Sequence, residues 1–131
     1  MHQPSKEAVA SLNEWAKHNL KEVKVGKFTA KRLILRNNSE GTDAILNKTF
    51  FNECISKYKD DELYVKKLEY AKKIVEIYEK ASFTRTETSV DHPDSVFKVY
   101  EYSDESYIAE IKVKSNNDGD ILHILRLYFK K

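Results

Sequence analysis

Three stretches near the C-terminal end, residues 96–102, 107–114 and 121–129, are rich in β-branched and aromatic side chains and are separated by turn-forming residues. They restrict this part of the chain to an antiparallel meander. In the middle stretch a period of two sends Tyr107, Ala109, Ile111 and Val113 to one side and Glu110, Lys112 and Lys114 to the other, so one face suits a core and one suits water. Ser103-Asp104-Glu105-Ser106 and Asn116-Asn117-Asp118-Gly119-Asp120 are short enough for hairpins, and the second holds residue types that tolerate positive φ. A further strand is expected over 84–88. It is the least apolar of the set and so belongs at an edge.

The first half has a different period. Residues 6–20 carry Ala8, Val9, Leu12, Trp15, Ala16 and Leu20 at spacings of three and four, with Ser5 placed as an N-cap after Pro4. Residues 61–81 predict one long helix through Leu63, Tyr64, Leu68, Ala71, Ile74, Val75, Ile77 and Tyr78, capped by Asp60 or Asp61. Residues 42–58 predict one helix or two short ones. Between these, 23–25 and 28–35 look extended, with Gly26 as punctuation and a strand of the same sheet within reach.

A chain of 131 residues that is 40% hydrophobic and 34% charged, with three glycines and two prolines, can bury a core as one domain over 1–131, with residues 1–4 expected to be flexible. The lone cysteine, Cys54, cannot form an internal disulfide, and its place between Phe51 and Ile55 favours burial over reactivity and a reducing compartment. No run of eighteen apolar residues and no charged-then-apolar leader is present, so neither a membrane span nor a secretion signal is expected.

The formal charge of +2 says less than its distribution. Lys24, Lys27, Lys31, Arg32 and Arg36 precede any acid until Glu40, and Lys112, Lys114, Arg126, Lys130 and Lys131 cluster near the end, while acids are denser over 87–105. A phosphate-binding groove and a set of solvated strand edges both fit. Tyr100, Tyr102, Tyr107 and Tyr128 can likewise stack on bases or line the edge of a core. No glycine-rich phosphate loop, metal-spaced Cys or His pair, or Gly-x-Ser-x-Gly turn occurs, which argues against nucleotide hydrolases and zinc enzymes; no metal and no cofactor are expected. Two of the four histidines stand out. His92 lies among acids in Asp91-His92-Pro93-Asp94, and His123 interrupts an apolar strand, where parity sets it with Leu125 and Leu127.

The order of elements resembles the barnase, EndoU, colicin and RelE-like ribonuclease superfamily, in the versions appended to phage head-morphogenesis and minor capsid proteins and to large polyvalent mobile-element proteins. That order is a helix, short strands around Phe28-Thr29-Ala30-Lys31-Arg32-Leu33-Ile34-Leu35, a helical segment, a long helix ending in Tyr78-Glu79-Lys80-Ala81 and a four-stranded meander, and the matching stretches are Leu12-Asn13-Glu14-Trp15-Ala16-Lys17-His18-Asn19-Leu20 and Leu68-Glu69-Tyr70-Ala71-Lys72-Lys73-Ile74. The resemblance implies an α+β fold with N-terminal helices packed on one face of a C-terminal four- to five-stranded, mainly antiparallel sheet. It implies metal-independent cleavage of RNA, tRNA included, in a bacterial cytoplasm or a phage virion, with an immunity protein or a phage head protein as further partners.

Such cleavage uses the 2′-hydroxyl as nucleophile and needs a base, an acid for the leaving oxygen and cations for the phosphorane. On that reading His123 is the acid or base, with His92 as a further catalytic candidate, and Lys112 clamps the phosphate. Ser39 and Arg36 hold phosphate or ribose, and Lys31, Lys114 and Arg126 bind the strand. Parity puts Arg126 opposite His123 unless a bulge intervenes. The alternatives are a non-catalytic interaction or RNA-binding module of the same fold, and an immunity-type protein, which the slight basic excess disfavours.

Overall fold

The computed structural model describes residues 3–25, 27–59, 61–88, 95–116 and 119–130. Helix α1 (Gln3–Asn19) leads into strands β1 (Lys21–Val25), β2 (Phe28–Asn37) and β3 (Thr42–Asn47). Helices α2 (Lys48–Lys57), α3 (Tyr64–Ala71) and α4 (Ile74–Lys80) follow, and then β4 (Ser82–Thr88), β5 (Val96–Ser103), β6 (Tyr107–Asn116) and β7 (Gly119–Phe129). The α+β class stands, with two corrections. Among the described residues the sheet has seven strands instead of four or five, and three of the four helices lie between two strand groups instead of at the N-terminus. No described helix is long and apolar enough to cross a membrane.

All strands join one sheet in the order β1-β2-β3-β7-β6-β5-β4. Each group is an antiparallel meander, and β4 is an edge, as its polarity predicts. The two groups meet in parallel between β3 and β7 over just two pairs, Ala44 with Asp120 and Ile45 with Ile121. Beyond them the strands part, and α2 packs against both β7 and β3. Asn47, the last residue of β3, is also the N-cap of α2, its side chain accepting from Phe50 N at 3.4 Å. The Tyr58 hydroxyl at the other end of α2 donates to Leu125 O, a strand carbonyl on the side from which β3 has withdrawn.

The core lies between the helices and one face of the sheet. Leu12, Phe50, Phe51, Leu68, Ile74, Ile77 and Tyr78 meet Leu46, Tyr100, Ile111, Leu122 and Leu125, all at most 2% exposed. Phe51 packs its ring 5.5 Å from that of Trp15, which ties α2 to α1, and 5.2 Å from that of its neighbour Phe50. Tyr58, Tyr64 and Tyr78 are buried in helix packing, and Tyr100 and Tyr107 line the core as well. Tyr128, at 54% exposure, is the strand tyrosine that faces water. Cys54 is buried, and loss of solvent around its thiol pushes its pKa up to about 12, which makes it unreactive.

Local departures from the sequence reading have physical causes. Residues 42–58 split into a strand and a helix because Ala44-Ile45-Leu46 is a continuous apolar run covered on both faces, a pattern that strand and helix share. The helix expected over 61–81 breaks at Lys72–Lys73, where Lys72 N and Lys73 N bond to Glu69 O and Tyr70 O. Leu68, Ala71, Ile74 and Ile77 recur every three residues, and a tightened turn keeps them in phase where an ideal α-helix would rotate them away from the core. Asp61 accepts from Leu63 N at 2.7 Å but caps no helix directly. Ser5 falls inside α1 and not at its N-cap, and Gln3 and Pro4, expected to be flexible, also belong to α1. Met1, His2, Gly26, Asp60 and the segment 89–94 lie outside the described residues.

One buried polar side chain fastens the first strand group to α4. Asn37, at 0% exposure, donates to Tyr78 O and Ala81 O at 2.7 Å each and accepts from Ser39 Oγ at 2.7 Å and Glu40 N at 2.9 Å. Asn38 N adds a bond to Glu79 O at 3.0 Å. The β2–β3 turn, closed by Gly41 at φ +67, thereby supplies donors to the carbonyls of Tyr78, Glu79 and Ala81 at the C-terminus of α4.

Candidate functional site

The face of the sheet away from the helices carries the charged residues of the second strand group. In β5 and β6, Phe97, Val99 and Glu101 lie opposite Lys114, Lys112 and Glu110. In β7, Arg126 is opposite Glu110 and Ile124 opposite Lys112, while on β4 Arg85 and Glu87 lie opposite Val99 and Phe97. These side chains form a continuous chain of ion pairs. Lys112 Nζ meets Glu87 Oε1 at 2.5 Å, Arg85 meets Glu87 at 3.4 Å and Glu110 at 3.7 Å, and Arg126 meets Glu110 at 3.9 Å. Val99 lies between Arg85 and Lys112 and is only 1% exposed, as expected where long charged side chains lay their aliphatic stems over an apolar neighbour.

The hydrogen bond from Lys112 holds the Glu87 carboxyl below its ordinary pKa, with help from Arg85. A carboxyl lowered on folding stabilises the native state above its unfolded pKa, and that stabilisation is lost as pH falls through the folded value. Urea unfolding followed from neutral pH into the carboxylate range is expected to show a falling midpoint, and Glu87→Gln is expected to make that fall shallower. An unchanged acid slope in the variant would count against the pair.

His123 reaches this face because of a bulge. The β6–β7 register shifts between Lys112, which pairs with Ile124, and Val113, which pairs with Leu122, so His123 is the extra residue. Its ring centroid lies 5.3 Å from that of Phe97, and its side chain is exposed. The sequence reading that set His123 with Leu125 and Leu127 is therefore corrected. Those leucines stay in the core, while His123 and Arg126 share the open side.

Next to the bulge, α2 contributes the other wall of a small depression. Glu53, Lys57 and Tyr58 line it together with His123, Ile124 and Leu125, over Phe50 and Cys54, and its volume of about 10 Å³ holds roughly one water. Glu53 and Lys57 are four residues apart on α2, in the favourable order along a helix. Partial desolvation lowers the pKa of the Lys57 ammonium, and the like charges of Arg126 and Lys112 lower it further against the opposing pull of Glu53. A carboxylate, an imidazole and three cations thus meet where α2 crosses β7.

The other candidates are distributed differently. Lys114 is on the same face, beside Phe97 and opposite Ile121. Arg36 also points to this side but stands across the split in the sheet, paired with Asp43 at 3.3 Å. Lys31 lies opposite Glu22 and alternates with Arg32 onto the reverse face. The Ser39 hydroxyl is engaged with Asn37 Oδ1 and Ala81 O at 2.7 and 3.1 Å, a docking role that sets it apart from the depression. His92 falls outside the described residues. Among the described residues no group of three or more His, Cys, Asp or Glu side chains is placed to hold a metal ion.

Sequence reasoning missed Glu53 and Lys57. Their signal was present as an i,i+4 pair flanking the buried stripe Phe50, Phe51 and Cys54, but nothing in the sequence says that α2 crosses β7. No protein-family model, curated protein or solved structure matches this chain.

Proposed function

We propose that the open face beside α2 binds a single-stranded RNA backbone, and that Glu53 and His123 act as base and acid in metal-independent cleavage at the neighbouring 2′-hydroxyl. The observation that carries this reading is the β7 bulge, which sets His123 beside Glu53 and Lys57 and on one side with Arg126 and Lys112. The roles follow from the chemistry. A carboxylate takes the 2′ proton, an imidazolium gives one to the leaving 5′ oxygen, and Lys57 with Arg126 offsets charge on the phosphorane. Tyr128, exposed on the same side, offers a ring face to bases. The resemblance to phage-associated ribonuclease domains agrees with this assignment, and a phage or mobile-element setting belongs to the same proposal.

The test is incubation of the chain with tRNA and total RNA in EDTA, followed by analysis of the ends produced. Fragments ending in 2′,3′-cyclic phosphate are the expected product. Binding to uncleavable 2′-deoxy oligonucleotide should weaken with salt at a log–log slope of about −2, or roughly −0.7 for each of three phosphates neutralised. Absence of both cleavage and salt-dependent binding removes the proposal.

A second reading, binding without cleavage, is favoured by one specific observation. Lys112 is committed to Glu87 and Arg126 leans on Glu110, so two of the cations already have anionic partners. Binding with intact RNA in the same assay selects it.

A further inference from the structure

The sheet is open at both ends, and its two edges differ in chemistry. β1 carries Lys21, Glu22 and Lys24 within five residues, and charged side chains of this kind blunt an edge against pairing with another chain. β4, at the other end, holds neither lysine nor proline and has β5 as its ladder partner, with no strand on its outer side among the described residues. A bulge between Phe83 and Arg85 disturbs its start, but Arg85 to Thr88 pair with β5 in unbroken register. In an antiparallel ladder alternate residues turn their N–H and C=O groups outward, so this half of β4 presents a regular row of open donors and acceptors.

We infer that β4 is a self-association edge, at which a second copy of this chain adds its own β4 antiparallel across a two-fold axis through Thr86. Such an axis stands perpendicular to the sheet and keeps each face on its own side, so opposed residues must share a face and the axis must pass through a residue. Centring on Arg85 sets two guanidinium groups against each other. Centring on Glu87 does the same with two carboxylates. Centring on Thr86 instead places Arg85 opposite Glu87 of the second copy, twice over, within the stretch of unbroken register. Opposite charges directly across a strand pair are favourable and like charges are unfavourable, so the sequence of β4 is complementary to itself in this one register. Arg85 and Glu87 already lie on the same face, 3.4 Å apart within the chain, and the pairing turns two charges into a group of four. The inference stands apart from the RNA-binding reading and survives its failure.

Sedimentation of the intact chain from about 1 μM to 1 mM reads the association directly. The wild type is expected to pass from one chain to two, while Arg85→Glu and Glu87→Arg, each checked for folding by circular dichroism, stay as single chains. Mixed in equal amounts, the two variants again set opposite charges across the axis, and a dimer is expected to return. Thr86→Cys supplies a charge-independent measurement, since the α-carbons of directly opposed strand residues lie within disulfide reach and mild oxidation should yield a covalent dimer that Thr88→Cys does not give. Cys54 is buried and does not interfere. A wild type that stays monomeric to about 1 mM, a mixture that does not associate, or equal cross-linking at the two cysteine positions overturns the inference.

Discussion

Asn37→Leu is expected to lower stability by on the order of 3 kcal/mol, read as a shift in the urea midpoint at unchanged slope. Leucine has the same branched shape and is somewhat larger, so none of this cost comes from a cavity. It comes from Tyr78 O and Ala81 O each losing one of two donors, and from Glu40 N losing its acceptor and Ser39 Oγ the nearer of two, in a place that water reaches poorly. Asn37→Asp is a sharper test of the same geometry. It keeps the shape and the two acceptor bonds but points a carboxylate at two carbonyl oxygens, so it should destabilise at least as much and recover in part under acid. Ser39→Ala removes one shared hydroxyl proton and should cost about 1 kcal/mol. If the leucine variant melted like the wild type, the docking of the β2–β3 turn onto α4 would be wrong.

His123→Ala is expected to reduce cleavage about 10²- to 10⁴-fold at unchanged RNA affinity, since a positioned acid or base contributes on that scale and an imidazole adds little to backbone binding. Glu53→Gln should have the same signature, because it keeps the size of the side chain and removes the basic oxygen. Lys57→Gln should act mainly on affinity and on the salt slope, which becomes shallower by about 0.7 when one phosphate is no longer neutralised. Lys112→Gln has a mixed outcome, since it also releases Glu87 to repel a phosphate. Single-turnover rates and filter binding on folded variants separate these effects. A His123→Ala variant that cleaves like the wild type removes the assignment of the site.

The parts of the fold carried by local pattern were legible in the sequence, while those set by packing between distant segments were not. The β5–β7 meander and the edge position of β4 follow from alternation and polarity, and α1 from its stripe ending at Leu20. β3 escaped because Ala44-Ile45-Leu46 fits either period, and its parallel pairing with β7 depends on residues far apart in the sequence. The site shows the same division. Lys112, Lys114 and Arg126 were placed by counting, but counting failed at His123, where one inserted residue reverses the parity of everything before it. Ser39 was chosen for its hydroxyl, and the hydroxyl is occupied by a structural duty that only the fold of Asn37 onto α4 creates.

The parting of β3 from β7 has a mechanical consequence. The two walls of the depression ride on elements that share no ladder hydrogen bonds, and apolar packing of Phe50 and Cys54 near Leu125, with the Tyr58 phenol-to-carbonyl link, holds them together. The gap between them can therefore widen or narrow through side-chain rearrangement while the strand pairings stay intact, so the molecule is compliant along this seam.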